Sequence, residues 1–260
     1  MSQPTVVTAY YAIPSKFSID NYIQWIYHFW PKTQCPLIFF TDPRIVSQFE
    51  IIFKDRPGPT KVIGISFDKL SAFQKLSLKV WIHTKQYDEE HQHSPELYAI
   101  WYEKKEFVLR AISLNPFGSD QFVWCDAGIC RYHHWIPHLT QFPKREMIPP
   151  NGKMLVLRIA PFDGRVDTHG IYGEFKKEVT VGGGILAADI SGWKRWSKIY
   201  DTTLMKYYLA DRFIGKDQNI MASMILQYPD SVIMIDPPEK MNTIERWFYL
   251  LLFLAGLRVD

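Results

Sequence analysis

Short apolar runs rich in β-branched and aromatic residues alternate in this chain with segments whose apolar positions recur at helical spacing. That alternation constrains the fold more than any other feature. Residues 5–11 (TVVTAYY) and 36–41 (PLIFFT) read as buried strands. Between them Ser18 caps a helix to about residue 29, with Ile19, Tyr22, Ile23, Ile26 and Phe29 on one face. Residues 45–49 read as helix, and 50–53 and 61–65 as weaker strands on either side of a proline-glycine turn. Strand, helix, strand, helix, strand implies an α/β fold with a mixed, mostly parallel sheet flanked by helices.

The pattern continues downstream. Residues 70–86 read as helix and 88–93 (DEEHQH) as a polar surface loop, because His91 and His93 have no companion cluster at metal-ligand spacing. Ser94, Pro95 and Glu96 open a helix that runs to about residue 114 and stops at Asn115-Pro116. Its buried face is expected from Leu97, Ile100, Trp101, Phe107, Val108 and Ala111, with Lys104, Lys105 and Arg110 on or beside the edge. Further strands are expected at 122–125, 154–159, 179–188 and 231–235, and helices at 189–210, 213–227 and 244–257. Residues 161–172 read as irregular, with Asp163-Gly164 and His169-Gly170 as turns. No repeat or flexible linker divides the chain, so residues 1–260 are expected to form a single domain.

Apolar residues make up 47% of the chain and charged residues 22%, enough for a sizeable core and too ordered a balance for a disordered chain. A net charge of +3, without a dense Lys/Arg stripe, argues against a nucleic-acid partner. Cys35, Cys125 and Cys130 form no CxxC pair, which suits a reducing compartment. The first residues lack a signal-peptide pattern, and a cytoplasmic location is expected. The apolar run from 247 to 257 is far shorter than the roughly 20 residues a bilayer span needs. Core burial is the first reading of the terminal helix. Peripheral membrane contact through residues 244–257, flanked by Arg246 and Arg258, is the weaker one.

Four places carry chemistry. The strand at 122–125 ends in Asp126, Ala127 and Gly128 and is followed by Arg131. Ligands in open α/β sheets sit beyond the carboxyl ends of strands, so Asp126 is either a turn former or a ligand for a divalent metal beside a phosphate. Tyr10 and Tyr11 end the first strand at the same edge, where an aromatic either stacks on a nucleobase or packs on the next helix. Gly182, Gly183 and Gly184 interrupt a strand, marking either a bulge or close approach of a ligand to backbone. Asp217-Gln218 stands at a helix start, where Asp217 is either a cap or a functional acid. GxGxxG after the first strand, the phosphate-binding loop, HExxH and the serine nucleophile elbow are all absent.

Taken together, TAYYAIPSK (8–16), FFTD (39–42), SPELYAIWYEKKEFVLRAISLNPF (94–117), FVWCDAGICR (122–131), VGGGILA (181–187), GKDQ (215–218) and WFYLLL (247–252) resemble the HtrL/YibB-like family, and more widely the nucleotide-sugar glycosyltransferases of GT-A fold. The resemblance covers essentially the whole chain. It implies a hexosyl- or pentosyl-transferase that moves a sugar from a nucleoside-diphosphate sugar, UDP-linked, to a glycan or lipid-linked saccharide acceptor. It further implies donor contacts from Ala9, Tyr10, Tyr11, Lys16, Arg110, Trp124, Cys125, Asp126, Gly183 and Gly184, with Arg110 pairing with the diphosphate or Asp126. Asp217, Gln218 and Asp189 would stand near the reacting sugar, and Mn²⁺ or Mg²⁺ would bind at Asp126, with His169 as a further ligand. One departure is plain: Trp124 stands where the metal-binding DxD pattern has its first carboxylate. Two alternatives follow from it, a catalytically silent nucleotide- or carbohydrate-binding protein on the same fold and a nucleotide-sugar hydrolase.

Overall fold

The computed structural model describes residues 2–162, 166–172 and 179–257. Asp163, Gly164 and Arg258 lie outside them. Seven strands form one mixed sheet: β1 (Thr5–Tyr10), β2 (Leu37–Thr41), β3 (Thr60–Gly64), β4 (Gln121–Cys125), β5 (Met154–Arg158), β6 (Val181–Asp189) and β7 (Val232–Ile235). Their order is β3-β2-β1-β4-β6-β5-β7. Strands β3, β2, β1 and β4 are parallel, β6 is antiparallel to both β4 and β5, and β7 is parallel to β5.

Side-chain alternation along each strand builds two apolar layers. On one face Val7, Phe40, Phe122, Trp124, Val156 and Leu186 pack against α3 (Ser71–Lys75), α4 (Leu78–Thr84), α5 (Pro95–Leu114), α6 (Ile190–Leu209) and α7 (Asp217–Gln227). On the other, Val6, Phe39, Val123, Cys125, Leu155 and Ile185 pack against α1 (Ile19–Phe29), α2 (Val46–Phe53) and α8 (Tyr249–Leu254). The sheet is therefore covered on both sides, which is why its strands read as near-continuous apolar runs.

Several local expectations need correction. Residues 50–53 are the last turn of α2, not a strand. Phe49 and Phe53, one helical turn apart, both pack on Phe39, and that pairing carries the helix past the point where propensity alone would end it. Residues 70–86 break into two helices. The terminal segment is a 3-10 turn, Glu245–Phe248, followed by α8, whose Leu250, Leu251, Leu252 and Leu254 are buried in the core. Of its large apolar residues, Ile244 and Trp247 stay exposed. Among the described residues no helix is long and apolar enough to cross a membrane.

The largest correction concerns α5. Ser94 caps it as expected, accepting from the Leu97 amide, and Asn115 ends it in the left-handed conformation at φ 32°. Its burial is not one apolar stripe. Tyr98, Ala99, Tyr102, Phe107, Val108 and Ala111 are buried, and so are Glu103, Lys104 and Lys105. Leu97, Ile100 and Trp101 are half-buried and face a cleft. The helix is enclosed on several sides, so its charged residues find partners inside the protein. Glu103 accepts from the Ser71 and Ala72 amides at 3.0 and 2.8 Å and fixes the start of α3. Lys105 pairs with Glu106 and, at 2.9 Å, with Asp201 of α6, over the Tyr102 ring. Phe107 stacks between Phe40 at 4.9 Å and Trp124 at 5.9 Å, locking the helix to the sheet beneath the cleft.

Candidate functional site

Strand order reverses between β1 and β4. The chain runs outward from β1 through β2 to β3, then returns to the other side of β1. A crevice opens at the carboxyl ends of strands where such a reversal occurs. Here it is lined by Ala9, Tyr10 and Tyr11 from β1 and its end, and by Trp124, Asp126 and Ala127 from β4 and the turn after it. Because β6 is antiparallel to β4, its amino end comes to the same edge: Cys125 lies opposite Ile185, and the Asp126 amide donates to the Gly184 carbonyl at 2.8 Å. The glycines therefore enter the site and Asp189, at the far end of β6, does not.

The crevice has two parts. The inner one is small and mainly aromatic, bounded by Tyr10, Tyr11, Phe17, Tyr22, Trp101 and Trp124. The outer one is a cleft of about 1040 Å³ carrying Lys16, Arg131, Lys216, Asp217, Gln218 and the loop from Glu89 to His93. Phe17, Tyr22, Trp101, Lys104 and Asp126 line both, so the two are one continuous site.

Lys104 is the junction. Its ammonium donates to the Gly183 carbonyl at 2.8 Å and to Asp217 Oδ2 at 2.9 Å, and lies 3.4 Å from Asp126 Oδ1. The three ammonium hydrogens thus face three acceptors. The side chains of Lys104 and Asp217 are each 6% exposed, whereas that of Asp126 is 40% exposed to the cleft. Burial works against the charge on Lys104, but Asp126 and Asp217 outweigh it and hold the ammonium above its ordinary range. Enclosure pushes the Asp126 carboxyl up, and Lys104 and the Trp124 indole oppose it. The net shift is upward, with Asp217 adding to it.

The remaining residues singled out from sequence divide clearly. Asp217 does not cap α7: its carboxylate accepts from Lys104 instead. Gln218 Nε2 donates to the Val181 carbonyl at 2.9 Å and ties α7 to the start of β6. Tyr10 and Tyr11 sit on opposite faces of the sheet, Tyr10 against Tyr22 and Phe49, Tyr11 bonded to the Ile65 carbonyl at 3.0 Å. They border the inner pocket from two sides. Cys125 is completely buried in the core layer opposite Trp124.

Three expected members lie elsewhere. Asp189 caps α6 from the Gly192 amide at 2.7 Å and also accepts from Gly152. Arg110, nearly two turns beyond Lys104, bonds to the Ser71 hydroxyl at 2.8 Å and faces Glu103 at 3.9 Å; the cation beside Asp126 is Lys104. His169 sits in an exposed turn built on Asp167.

Sequence reasoning gave no site role to Lys104, to Arg131 or to the loop at 88–93. Lys104 was readable in principle: it shares a helix face with Trp101, Phe107 and Val108, and a lysine amid apolar neighbours at three- and four-residue spacing implies a buried partner. Arg131 lies among aromatic rings, its guanidinium carbon 4.5 Å from the centre of Phe17, 4.6 Å from Trp25 and 5.3 Å from Phe248. Its one hydrogen bond in the described residues goes to the Gly128 carbonyl at 3.3 Å, and no carboxylate pairs with it. The loop read as a surface feature folds inward. Asp88 Oδ2 accepts from Tyr98 at 2.5 Å and from His93 Nδ1 at 2.9 Å, and Glu90 pairs with Lys216 at 2.6 Å. Asp88 and His93 are only 7% exposed.

Of the two open readings of the glycines, the irregularity is the one the strand pairing bears out. Pairing between β5 and β6 slips from Leu155 opposite Ala187 to Leu157 opposite Gly182, an irregularity. At the same place the backbone is crowded: a Cβ on Gly183 would lie 2.8 Å from Asp217 Oδ2 and 3.3 Å from its Cγ. Gly183→Ala is expected to displace Asp217 from Lys104 and cost about 1–3 kcal/mol, an overpacking penalty, read as a fall of several degrees in melting temperature. An unchanged melting temperature would show that the carboxylate yields freely.

A divalent metal does not fit this donor set. Asp126 Oδ1 already accepts from Trp124 Nε1 at 2.8 Å, and the space between the two carboxylates holds an ammonium. Among the described residues no three His, Cys, Asp or Glu side chains are placed to hold a metal ion together.

The family model HtrL_YibB, described as a bacterial protein of unknown function, matches residues 2–248. The chain belongs to that family. Comparison with curated proteins gives no match. Among solved structures it is similar to mouse xyloside xylosyltransferase 1 in its apo form, with a TM-score of 0.50 and 10% identity over 99% of this chain and 94% of that one. At that identity the likeness establishes a glycosyltransferase-like fold for this family member and leaves donor, acceptor and chemistry to be argued from its own cleft.

Proposed function

We propose that the chain is a glycosyltransferase that takes its sugar from a nucleoside diphosphate, UDP-linked, and passes it to a glycan or lipid-linked saccharide. The observation that supports this best is the polarity of the crevice. An aromatic inner pocket suited to a base continues, through Lys104 and Asp126, into a wide cleft with the cations Lys16, Arg131 and Lys216. A nucleoside diphosphate has the same order of parts, flat ring first and negative charge second. As the sugar leaves, charge gathers on the terminal phosphate, where fixed cations stabilise it. Arg131 suits that task because its guanidinium is preoriented on three rings and unclaimed by any carboxylate among the described residues. The His93 imidazole, oriented by Asp88 and with Glu90 3.6 Å from its Nε2, borders the same cleft beside His91.

One observation favours the silent binding protein instead. Asp217, the acid the resemblance sets beside the reacting sugar, is locked to Lys104. Two measurements separate the readings. A panel of nucleoside diphosphates should contain one that raises the melting temperature, and its sugar conjugates should then release nucleotide. Product analysis separates transfer from hydrolysis, and nucleotide binding without any turnover would leave the silent protein. Arg131→Met is expected to weaken binding of the stabilising nucleotide about 10- to 100-fold, the worth of one lost charge-assisted hydrogen bond to phosphate, by calorimetry. Unchanged affinity would remove Arg131 from the phosphate site. A panel with no stabilising nucleotide would sink the donor assignment altogether.

A further inference from the structure

Two independent features of the cleft point away from the metal that the glycosyltransferase resemblance implies. The first is a cation already in position. Lys104 projects from the middle of α5 to a point between Asp126 and Asp217, with the Gly183 carbonyl as third acceptor. The helix that carries it is fixed in place. Its neighbours Glu103 and Lys105 pin α5 to α3 and α6, and Phe107 pins it to the sheet. The second is a donor in place of an acceptor. Trp124 occupies the position where a second carboxylate would serve a metal, and its indole N–H donates to Asp126 Oδ1. An indole N–H cannot ligate a cation, and it takes up one of the two Asp126 oxygens.

A hard divalent ion needs about six oxygen ligands, several of them anionic. Asp126 Oδ1 accepts from Trp124 and faces Lys104, and Asp217 Oδ2 accepts from Lys104, which leaves one oxygen on each acid; an ion entering beside them would stand against a positive charge held in low-dielectric surroundings. A single lysine gives the two carboxylates one positive charge where a metal would give two. The diphosphate charge is then left to Arg131 and Lys16 on the walls of the cleft, Lys216 being paired with Glu90.

We propose that the Lys104 ammonium takes the place of the divalent metal in this cleft, excluding Mn²⁺ and Mg²⁺ and leaving ligand binding independent of them. The second half rests on the nucleotide-donor reading; the exclusion of metal does not.

The test begins with the wild-type chain, stripped of metal and titrated with Mn²⁺ alone, free ion being followed by electron paramagnetic resonance. No stoichiometric binding at millimolar Mn²⁺ is expected. One bound ion that disappears in Asp126→Asn would overturn the proposal. Lys104→Ser frees two carboxylates and a carbonyl, and is expected to gain a Mn²⁺ site at least ten times tighter than any in the wild type. If that variant does not fold, the wild-type titration still decides. Thermal shift with UDP, in EDTA and in Mn²⁺, completes the set. Equal stabilisation in both supports the proposal, and stabilisation only with Mn²⁺ overturns it while keeping the donor reading. Should no nucleotide stabilise the protein and no Mn²⁺ bind, the donor reading falls and the exclusion of metal stands.

Discussion

Lys104→Met is expected to destabilise the protein by about 3–5 kcal/mol, the cost of leaving buried charge uncompensated. For a chain of this size that corresponds to a fall in melting temperature on the order of 10 °C. Methionine keeps most of the apolar stem that packs beside Trp101 and Trp124, so the loss is electrostatic and not a cavity. What remains is Asp217, 6% exposed, and Asp126, facing each other across the place the ammonium held. Two consequences distinguish this from simple loss of packing. Adding Asp217→Asn to Lys104→Met should recover stability, so that the double variant is less damaged than the sum of the singles by about 1–3 kcal/mol. The deficit should also shrink as pH falls toward about 4, where carboxyls begin to neutralise themselves. Urea denaturation of the four proteins at two pH values gives both numbers. Strict additivity, or a deficit that ignores pH, would mean that Lys104 contributes packing alone.

The fold was legible because each level of the sequence agreed with the next. Ser18 and Ser94 were readable as caps and both accept from the amide three residues on. The apolar runs were readable as strands because both faces of the sheet are covered, leaving few polar interruptions. Residues 50–53 failed for a reason of scale. Four apolar residues suit a strand, and only the tertiary contact of Phe53 with Phe39 decides for helix. The site was half legible. Asp126, the glycines and Asp217 stand at strand and helix ends, where local sequence marks them. Asp189 also stands at such an end, but strand direction decides which edge of the sheet an end reaches, and nothing local in residues 181–189 says that β6 runs antiparallel to β4. The cation beside Asp126 is Lys104 and not Arg110. Choosing between Lys104 and Arg110 requires the rotation of α5 to within half a turn. The mixed burial of that helix on several sides, charged residues included, hides its phase from any amphipathic pattern.

Glu103, the residue before Lys104, sets a pH dependence of opposite sign to ordinary acid unfolding. Its carboxyl is completely buried, and burial pushes its pKa from 4.5 up to about 7, although the Ser71 and Ala72 amides and Arg110 pull it down. A carboxyl with a raised folded-state pKa binds its proton more tightly in the native chain than in the unfolded one. Its contribution is therefore fully present below pH 4.5, the unfolded value, and is lost as pH rises through about 7. The size is at most about 3 kcal/mol, from about 1.4 kcal/mol for each pKa unit. Surface acids held low by partners, such as Asp42 at about 2 beside Arg44, act in the other direction and only in strong acid. The window between about pH 5 and 8 thus belongs to Glu103 among the buried acids with raised values that do not face the cleft. Glu103→Gln cannot ionise, though it offers one carbonyl oxygen to two amides and so costs stability at every pH. The expected result is a gap between wild type and Glu103→Gln that is widest near pH 5 and narrows by roughly 2–3 kcal/mol by pH 8, measured by urea denaturation of both proteins across that range. Parallel stability curves would show that Glu103 is already ionised at pH 5, its two amide bonds and Arg110 having outweighed its burial.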